Sequence, residues 1–471
     1  MSISERVSAT GIDGYFRVSD RGSSIKIEVL AGLTTFMTMA YILFLNPLIL
    51  SVPDAEGTTL DPGAVLTMTA LAAGISSIAM GAYANYPFAL AAGLGLNSVV
   101  AQQLVVSVGL TWPQAMGVVV LEGLIILVLV LTNFREAVMN AVPLALKGAI
   151  AVGIGLFITI IGLVDAGFVT ATGQPSPPLQ LGIRGELHGW PIAVFVVGFL
   201  LTVMLYIRRV RGSLLIGILG STVLATVVNE LFLEGEGFNG AANVGRIVDL
   251  PGAENFSLIG AFSFGFVAEM GVLAASLAVF SLMLSDFFDT MGTAIGLGRE
   301  AGLLRRDGTL PQTDRVLQVD SGAAALGGAF SCSSNTTYIE SASGIAVGGR
   351  TGLTAIIVGG LFLLAILFAP LAGIVPLQAA APALVLVGFF MMATVREIPW
   401  DDLELAIPAF LTIVLMPFTY SITNGIGAGF VTYVFIKLAR GRANEVRPMM
   451  YIAATAFLVY FTIFYVREVL T

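Results

Sequence analysis

Hydrophobic and polar positions fall in long blocks along this chain. Apolar runs near 20 residues recur from end to end, each long enough to cross a bilayer as a helix. They lie at about 26–50, 64–84, 88–106, 113–132, 144–164, 190–207 and 212–232. A second set follows at about 272–297, 315–332, 335–348, 351–370, 379–395, 404–422 and 424–439. One more apolar stretch, 449–466, is either a fifteenth span or a helix packed alongside. The pattern predicts an all-α polytopic membrane protein of about fourteen segments.

The blocks break in two matching places. The third segment reads Asn85-Tyr86-Pro87-Phe88-Ala89-Leu90-Ala91-Ala92-Gly93-Leu94-Gly95-Leu96-Asn97, and the tenth reads Asn335-Thr336-Thr337-Tyr338-Ile339-Glu340-Ser341-Ala342-Ser343-Gly344. Both are short, glycine-interrupted and third in their set, and each predicts a few extended residues followed by a half-helix. Ala141-Val142-Pro143-Leu144 before the fifth segment also rhymes with Ile374-Val375-Pro376-Leu377 before the twelfth. Seven segments is an odd number, so two such halves must be inverted relative to each other. Broken segments at matching places in inverted halves point to the central site of a transporter.

Charge placement sets an orientation. With the N-terminus inside, Arg135, Arg208, Arg209, Arg211, Arg299, Arg305, Arg306, Arg315, Arg350, Arg396, Lys437, Arg440, Arg442 and Arg447 all fall at inner ends. The outer loops hold Arg184 and Arg246 beside several acids. That asymmetry predicts a multi-pass protein of the cell membrane with a cytoplasmic N-terminus. The expected divisions are an N-terminal segment at 1–25, a first repeat at 26–233, an outer loop and linker at 234–271, a second repeat at 272–440 and a C-terminal segment at 441–471. Residues 1–24 have no apolar core, so they do not form a signal peptide.

Composition agrees: 57% of residues are hydrophobic and 11% charged, against about 25% charged in soluble domains. The net charge of −8 gives no reason to expect a nucleic-acid partner. Cys332 and His188 are each the sole residue of their type, which excludes an internal disulfide and a cysteine or histidine metal cluster. No cofactor, metal or enzymatic nucleophile–base pair is expected.

The candidate chemistry lies between Ser285 and Arg350. On a helix, Asp286, Asp289, Thr290 and Thr293 share one face, with Gly292 and Gly296 on an adjacent strip suited to close helix approach. Glu340 follows the β-favouring run Thr337-Tyr338-Ile339 and precedes small residues suited to a helix start, where freed N–H groups would point at a ligand. Asn97 would face it from the other half, with Phe88 and Tyr338 placed to stack on a flat ring. Asp320 either joins this network or bonds the broken backbone of segment ten. A charge at mid-membrane faces a protein interior or a water-filled path. A pocket of acids without Lys or Arg disfavours an anion and suits a neutral heterocycle with N–H donors. Buried carboxyl groups also exchange protons near neutral pH, and sodium suits the same oxygens. The competing class is an anion exchanger of the same architecture, such as a bicarbonate or sulfate carrier.

These residues carry a resemblance. Leu33-Thr34-Thr35-Phe36-Met37-Thr38-Met39-Ala40-Tyr41-Ile42, Ala91-Ala92-Gly93-Leu94-Gly95-Leu96-Asn97, Asp286-Phe287-Phe288-Asp289-Thr290-Met291-Gly292-Thr293 and Thr337-Tyr338-Ile339-Glu340-Ser341-Ala342 resemble the nucleobase–cation symporter family 2, in its hypoxanthine–guanine–adenine permease branch. The match runs over nearly the whole chain. It implies a seven-plus-seven inverted repeat with a core domain (segments 1–4 and 8–11) and a gate domain (5–7 and 12–14), often dimeric. It also implies import of purine bases with protons by alternating access. The family's substrate carboxylates fall on Asp286 and Glu340, with Asp289 one turn on, and the branch asparagine on Asn97. Uracil members carry a histidine where Thr290 stands, which favours the purine branch. The lead into the tenth segment, Ser331-Cys332-Ser333-Ser334-Asn335, departs from the branch's Gly-Thr-Ser.

Overall fold

A computed structural model describes residues 11–132, 142–173, 177–235, 237–238, 241–243, 245–305 and 310–470. Arg135, Ala141 and Arg306, used above, lie outside the described residues, as do the first ten positions. Among the described residues the chain is all-α apart from four three-residue strands, and its fourteen segments form the expected seven-plus-seven arrangement.

Spans 1 to 7 are built from the helices Ile25–Met39 with Ile42–Ile49, Pro62–Ala79, Leu94–Ser98 with Val99–Ser107, Trp112–Leu131, Leu144–Asp165, Trp190–Ile207 and Ser213–Phe232. Spans 8 to 14 are Val272–Glu300, Thr313–Ala329, Ser341–Val347, Gly352–Ala365 with Ile366–Gly373, Leu377–Met391, Leu403–Thr419 and Ile422–Ala439. Local chemistry fixes many of the starts. The Ser24 side chain accepts from the Ile27 N–H, and Asp61 accepts from Ala64 ahead of Pro62 at the first helical turn. Span 1 breaks at Ala40–Tyr41, and Pro47 lies within its second helix. The π-turn Val99–Ser107 in span 3 and the short strand pair Val169–Ala171 with Leu179–Leu181 have no counterpart in the sequence reading.

Packing sorts the spans into two bodies. Spans 4 and 9, 2 and 11, 1 and 11, and 1 and 10 contact extensively, as do 13 and 14, 5 and 12, 5 and 13, and 6 and 7. These sets match the core and gate. Glycines allow the closest crossings: an added Cβ at Gly81 would strike Gly352, and one at Gly359 would strike Gly74, so spans 2 and 11 meet backbone to backbone. Gly155 and Gly388 do the same for spans 5 and 12 in the gate. The Glu404 carboxylate ties the ends of spans 13 and 14 through Lys437 at 2.6 Å, Arg440 at 2.6 Å and Arg442 at 3.0 Å. Between the bodies, Gln103 of span 3 donates to Thr423 (2.5 Å) and accepts from the Ile422 N–H (2.9 Å) at the start of span 14. The extra stretch is the helix Pro448–Leu470, which packs on spans 14 and 8 and buries Phe457 against Phe430.

Candidate functional site

The two broken spans meet at the centre of the core. Strand Leu90–Ala92 pairs antiparallel with Asn335–Thr337, in the register Leu90 to Thr337, Ala91 to Thr336 and Ala92 to Asn335. Beyond the ladder, the Tyr338 N–H donates to the Ala89 carbonyl and the Gly93 N–H to the Ser334 carbonyl, both at 2.9 Å. Extended backbone at this depth survives because protein groups satisfy it. Ser77 of span 2 binds both backbone groups of Leu90, accepting from its N–H (2.9 Å) and donating to its carbonyl (3.1 Å). Asp320 of span 9 holds Thr337, accepting from its N–H and its hydroxyl at 2.9 Å each. The Thr290 hydroxyl also donates to Asp320 at 2.7 Å and meets the Thr336 hydroxyl at 2.6 Å. Of the two roles open to Asp320, the geometry therefore gives the backbone one. Thr290 is bound within the same structural network, fully buried, and is not presented to a ligand.

The acids divide by exposure. Asp289 and Glu340 are half-buried, with Ile339 exposed beside them, and the two carboxyl groups interact electrostatically. Glu340 accepts a hydrogen bond from the hydroxyl of the buried Tyr41, and Ser343 donates to the Glu340 carbonyl at 2.7 Å. Thr38 meets Ser343 at 2.8 Å. Asp286, expected to share the ligand face with Asp289, is fully buried behind it. Its Oδ2 accepts from Ser334 at 3.2 Å, and its Oδ1 meets no donor. Facing it is a residue the sequence reading passed over, Glu122, at the middle of span 4. The signal was present, as a lone carboxyl between Val118-Val119-Val120-Leu121 and Gly123-Leu124-Ile125-Ile126.

Several expectations need correction. Phe88 is fully buried and stacks on Tyr86 at 4.9 Å inside a packed cluster, so it is not free to stack on a ligand. Tyr338 is buried and spends its hydroxyl on the Ala92 carbonyl (2.6 Å), bracing the two breaks together. Asn97 is fully buried and donates to Asn46 at 2.7 Å, which in turn donates to Thr69 and to the Cys332 carbonyl. Its tie is thus to span 1, leaving its own side-chain carbonyl unpaired. Gly292 and Gly296 do not mediate close packing: an added Cβ meets nothing at either, because that strip of span 8 faces open space. Thr293 is buried beside it. The N–H groups of Ser341, Ala342 and Ser343 are taken by the carbonyls of Tyr338, Ile339 and Glu340, so the start of the span 10 half-helix is closed on itself.

No described Lys or Arg forms an ion pair with Glu122, Asp286, Asp289, Asp320 or Glu340. Among the described residues, no three acid, Cys or His side chains converge in a way that would hold a metal. A separate cavity of about 270 Å³ between spans 4 and 8 is lined by apolar side chains including Leu121, Ile125, Phe266, Val279 and Met283, and offers no comparable chemistry.

Comparison with known proteins follows from this geometry. A family described as "Permease family" matches residues 26–428. The chain is 38% identical over 453 residues to the guanine/hypoxanthine permease PbuG of Bacillus subtilis, covering 95% of this chain and 98% of that protein. It is 37% identical over 449 residues to the adenine permease AdeP of Escherichia coli, covering 95% of each. Among solved structures, it is similar to murine Solute Carrier 26 family member A9 at a TM-score of 0.64 and 12% identity, covering 93% of this chain and 74% of that one. The transmembrane domain of a cyanobacterium bicarbonate transporter, BicA, gives 0.60 at 16% identity, covering 86% and 97%. These two likenesses concern the fold alone.

Proposed function

This chain belongs to the permease family, whose members move solutes rather than transform them, and on that premise we propose that it imports purine nucleobases together with protons. The observation that carries the reading is the half-buried pair of Asp289 on span 8 and Glu340 at the break of span 10, acids with which no described Lys or Arg forms an ion pair. Ionised, they accept from the N–H groups of a purine; protonated, they donate to its ring nitrogens. Asp286 lies one turn behind Asp289, where a proton can be held without competing for the base. An anion would meet like charge here, so the fold shared with anion transporters does not carry their substrates to this chain. The guanine/hypoxanthine and adenine permeases named above support purines over other heterocycles.

Transport proceeds by movement of the core against the gate, with the site exposed to each side in turn. The N-terminus lies in the cytoplasm, the membrane is the cell membrane, and the protein pairs as a homodimer.

The test is uptake of labelled hypoxanthine, guanine, adenine and uracil, with and without an uncoupler. Purine uptake should collapse with the proton gradient, and Glu340→Gln should reduce it at least about 100-fold while the protein still reaches the membrane folded. Uptake that survives Glu340→Gln rejects the site, and uptake driven by sodium but indifferent to the uncoupler rejects the coupling ion.

A further inference from the structure

We propose that Glu122 and Asp286 form a proton seat, two carboxyl groups that share one proton and exchange it once per transport cycle. The proposal rests on the proton-coupled reading above and adds a residue and a place to it. Glu122 is fully buried in span 4. Span 9 closes over it: an added Cβ at Gly123 would strike Ala325, and one at Gly328 would strike Val120. Neither oxygen of Glu122 meets an N–H or O–H donor, nor does Oδ1 of Asp286. The group each presents to the other is a carboxyl.

Two ionised carboxylates facing each other in such a setting strongly favour taking up a proton. One proton between them turns an acceptor–acceptor contact into a charge-assisted O–H···O bond and leaves a single negative charge. The titratable groups facing the pair are Asp289 on span 8 and Asp320 on span 9, both acids, so no neighbouring cation stands in for the proton. Asp320 is ill suited to the task because three donors already hold it in place. Ser334 connects the pair to the substrate side. Its hydroxyl donates to Asp286, and its carbonyl accepts from Gly93 at the end of the ladder that leads to Glu340. In the cycle, a proton from one aqueous side joins one carboxylate oxygen, the pair passes from two negative charges to one, and the same proton leaves on the other side.

The experiment uses full-length protein in liposomes, labelled hypoxanthine and a lumenal pH dye. Wild type should acidify the lumen as hypoxanthine enters. Glu122→Gln should keep downhill hypoxanthine flux within about threefold, lose the accompanying acidification, and lose at least about tenfold of its uphill accumulation. A Glu122→Gln protein that still moves protons with hypoxanthine overturns the proposal. If that variant moves no hypoxanthine, binding to purified protein decides. Wild-type affinity should weaken as pH rises, Glu122→Gln should lose most of that slope, and Glu122→Asp should restore it. A wild-type slope in Glu122→Gln, or folded Glu122→Gln and Glu122→Asp proteins that both fail to bind, overturns it. Wild type that carries hypoxanthine without protons, or not at all, fails the transport reading itself, and this proposal with it.

Discussion

The two breaks share a backbone and differ in chemistry. Leu90 in span 3 and Thr337 in span 10 sit directly opposite each other in the ladder, and each is anchored by the span before its own. A hydroxyl does this for Leu90, from Ser77 in span 2, and a carboxylate does it for Thr337, from Asp320 in span 9. The inverted repeat therefore reproduces the scaffold, anchor included, while only one of the two breaks carries charge. Span 3 carries Leu90-Ala91-Ala92-Gly93 through its break, while span 10 carries Thr336, Thr337 and Tyr338, whose hydroxyls are bound within the scaffold, and then Glu340. A symmetric frame with chemistry on one side has one ligand site rather than two. The uncharged half supplies a fixed surface, and the charged half supplies recognition.

The comparison breaks most severely at the charged anchor. Asp320→Ala leaves the Thr337 N–H and two hydroxyls without their acceptor in a buried site. Each buried donor left without its acceptor typically costs about 1–3 kcal/mol. Transport should be abolished and the protein should unfold well below the wild-type temperature, as read by thermal denaturation in detergent. Asp320→Asn keeps an acceptor and should recover part of the stability. Equal stability of wild type and Asp320→Ala would show that Asp320 does not hold the break.

Much of this was legible beforehand, for identifiable reasons. Blocks of apolar residues fix the number of spans because the bilayer sets their length, and glycines at matching places fix where the spans break. Periodicity placed Asp286, Asp289, Thr290 and Thr293 on one face, but a face does not name its neighbour. Asp286 and Thr290 turned inward while Asp289 remained half-buried, because contacts with spans 9 and 10 decide where that face divides. The Gly292 strip failed for the same reason: small residues permit close packing, and only the partner shows whether it occurs. Glu122 lies more than 160 positions before Asp286 in the chain. Its isolation among apolar residues was visible, while the carboxyl it faces was not. Aromatic rings near the break suggested stacking, yet Phe88 and Tyr338 pack against protein because the crossing spans leave them no free face.

The uncharged anchor should matter less. Ser77→Ala removes a hydroxyl that serves both backbone groups of Leu90, leaving a buried donor and a buried acceptor unmet at about 1–3 kcal/mol. Transport should persist at reduced protein yield, with a lowered unfolding temperature and little change in purine affinity. A Ser77→Ala protein as badly damaged as Asp320→Ala would erase the distinction between the halves and make the ladder, rather than its charge, the source of function.

The smallest effect is expected where span 1 touches the charged break. Tyr41 is buried and its hydroxyl donates to Glu340, so it holds the carboxyl in one orientation. Tyr41→Phe keeps the ring and its packing and removes that single donor. A hydrogen bond to a charged group contributes about 1.5–3 kcal/mol; because Glu340 is half-buried and water can replace the lost donor, the effect should fall at or below the lower end, about tenfold in purine affinity. Stability should be nearly unchanged, and the purine KM should rise while the maximal rate holds. A fall in the maximal rate at constant KM would instead place Tyr41 in the movement between core and gate. The charged half of the site would then act on the conformational step as well as on recognition.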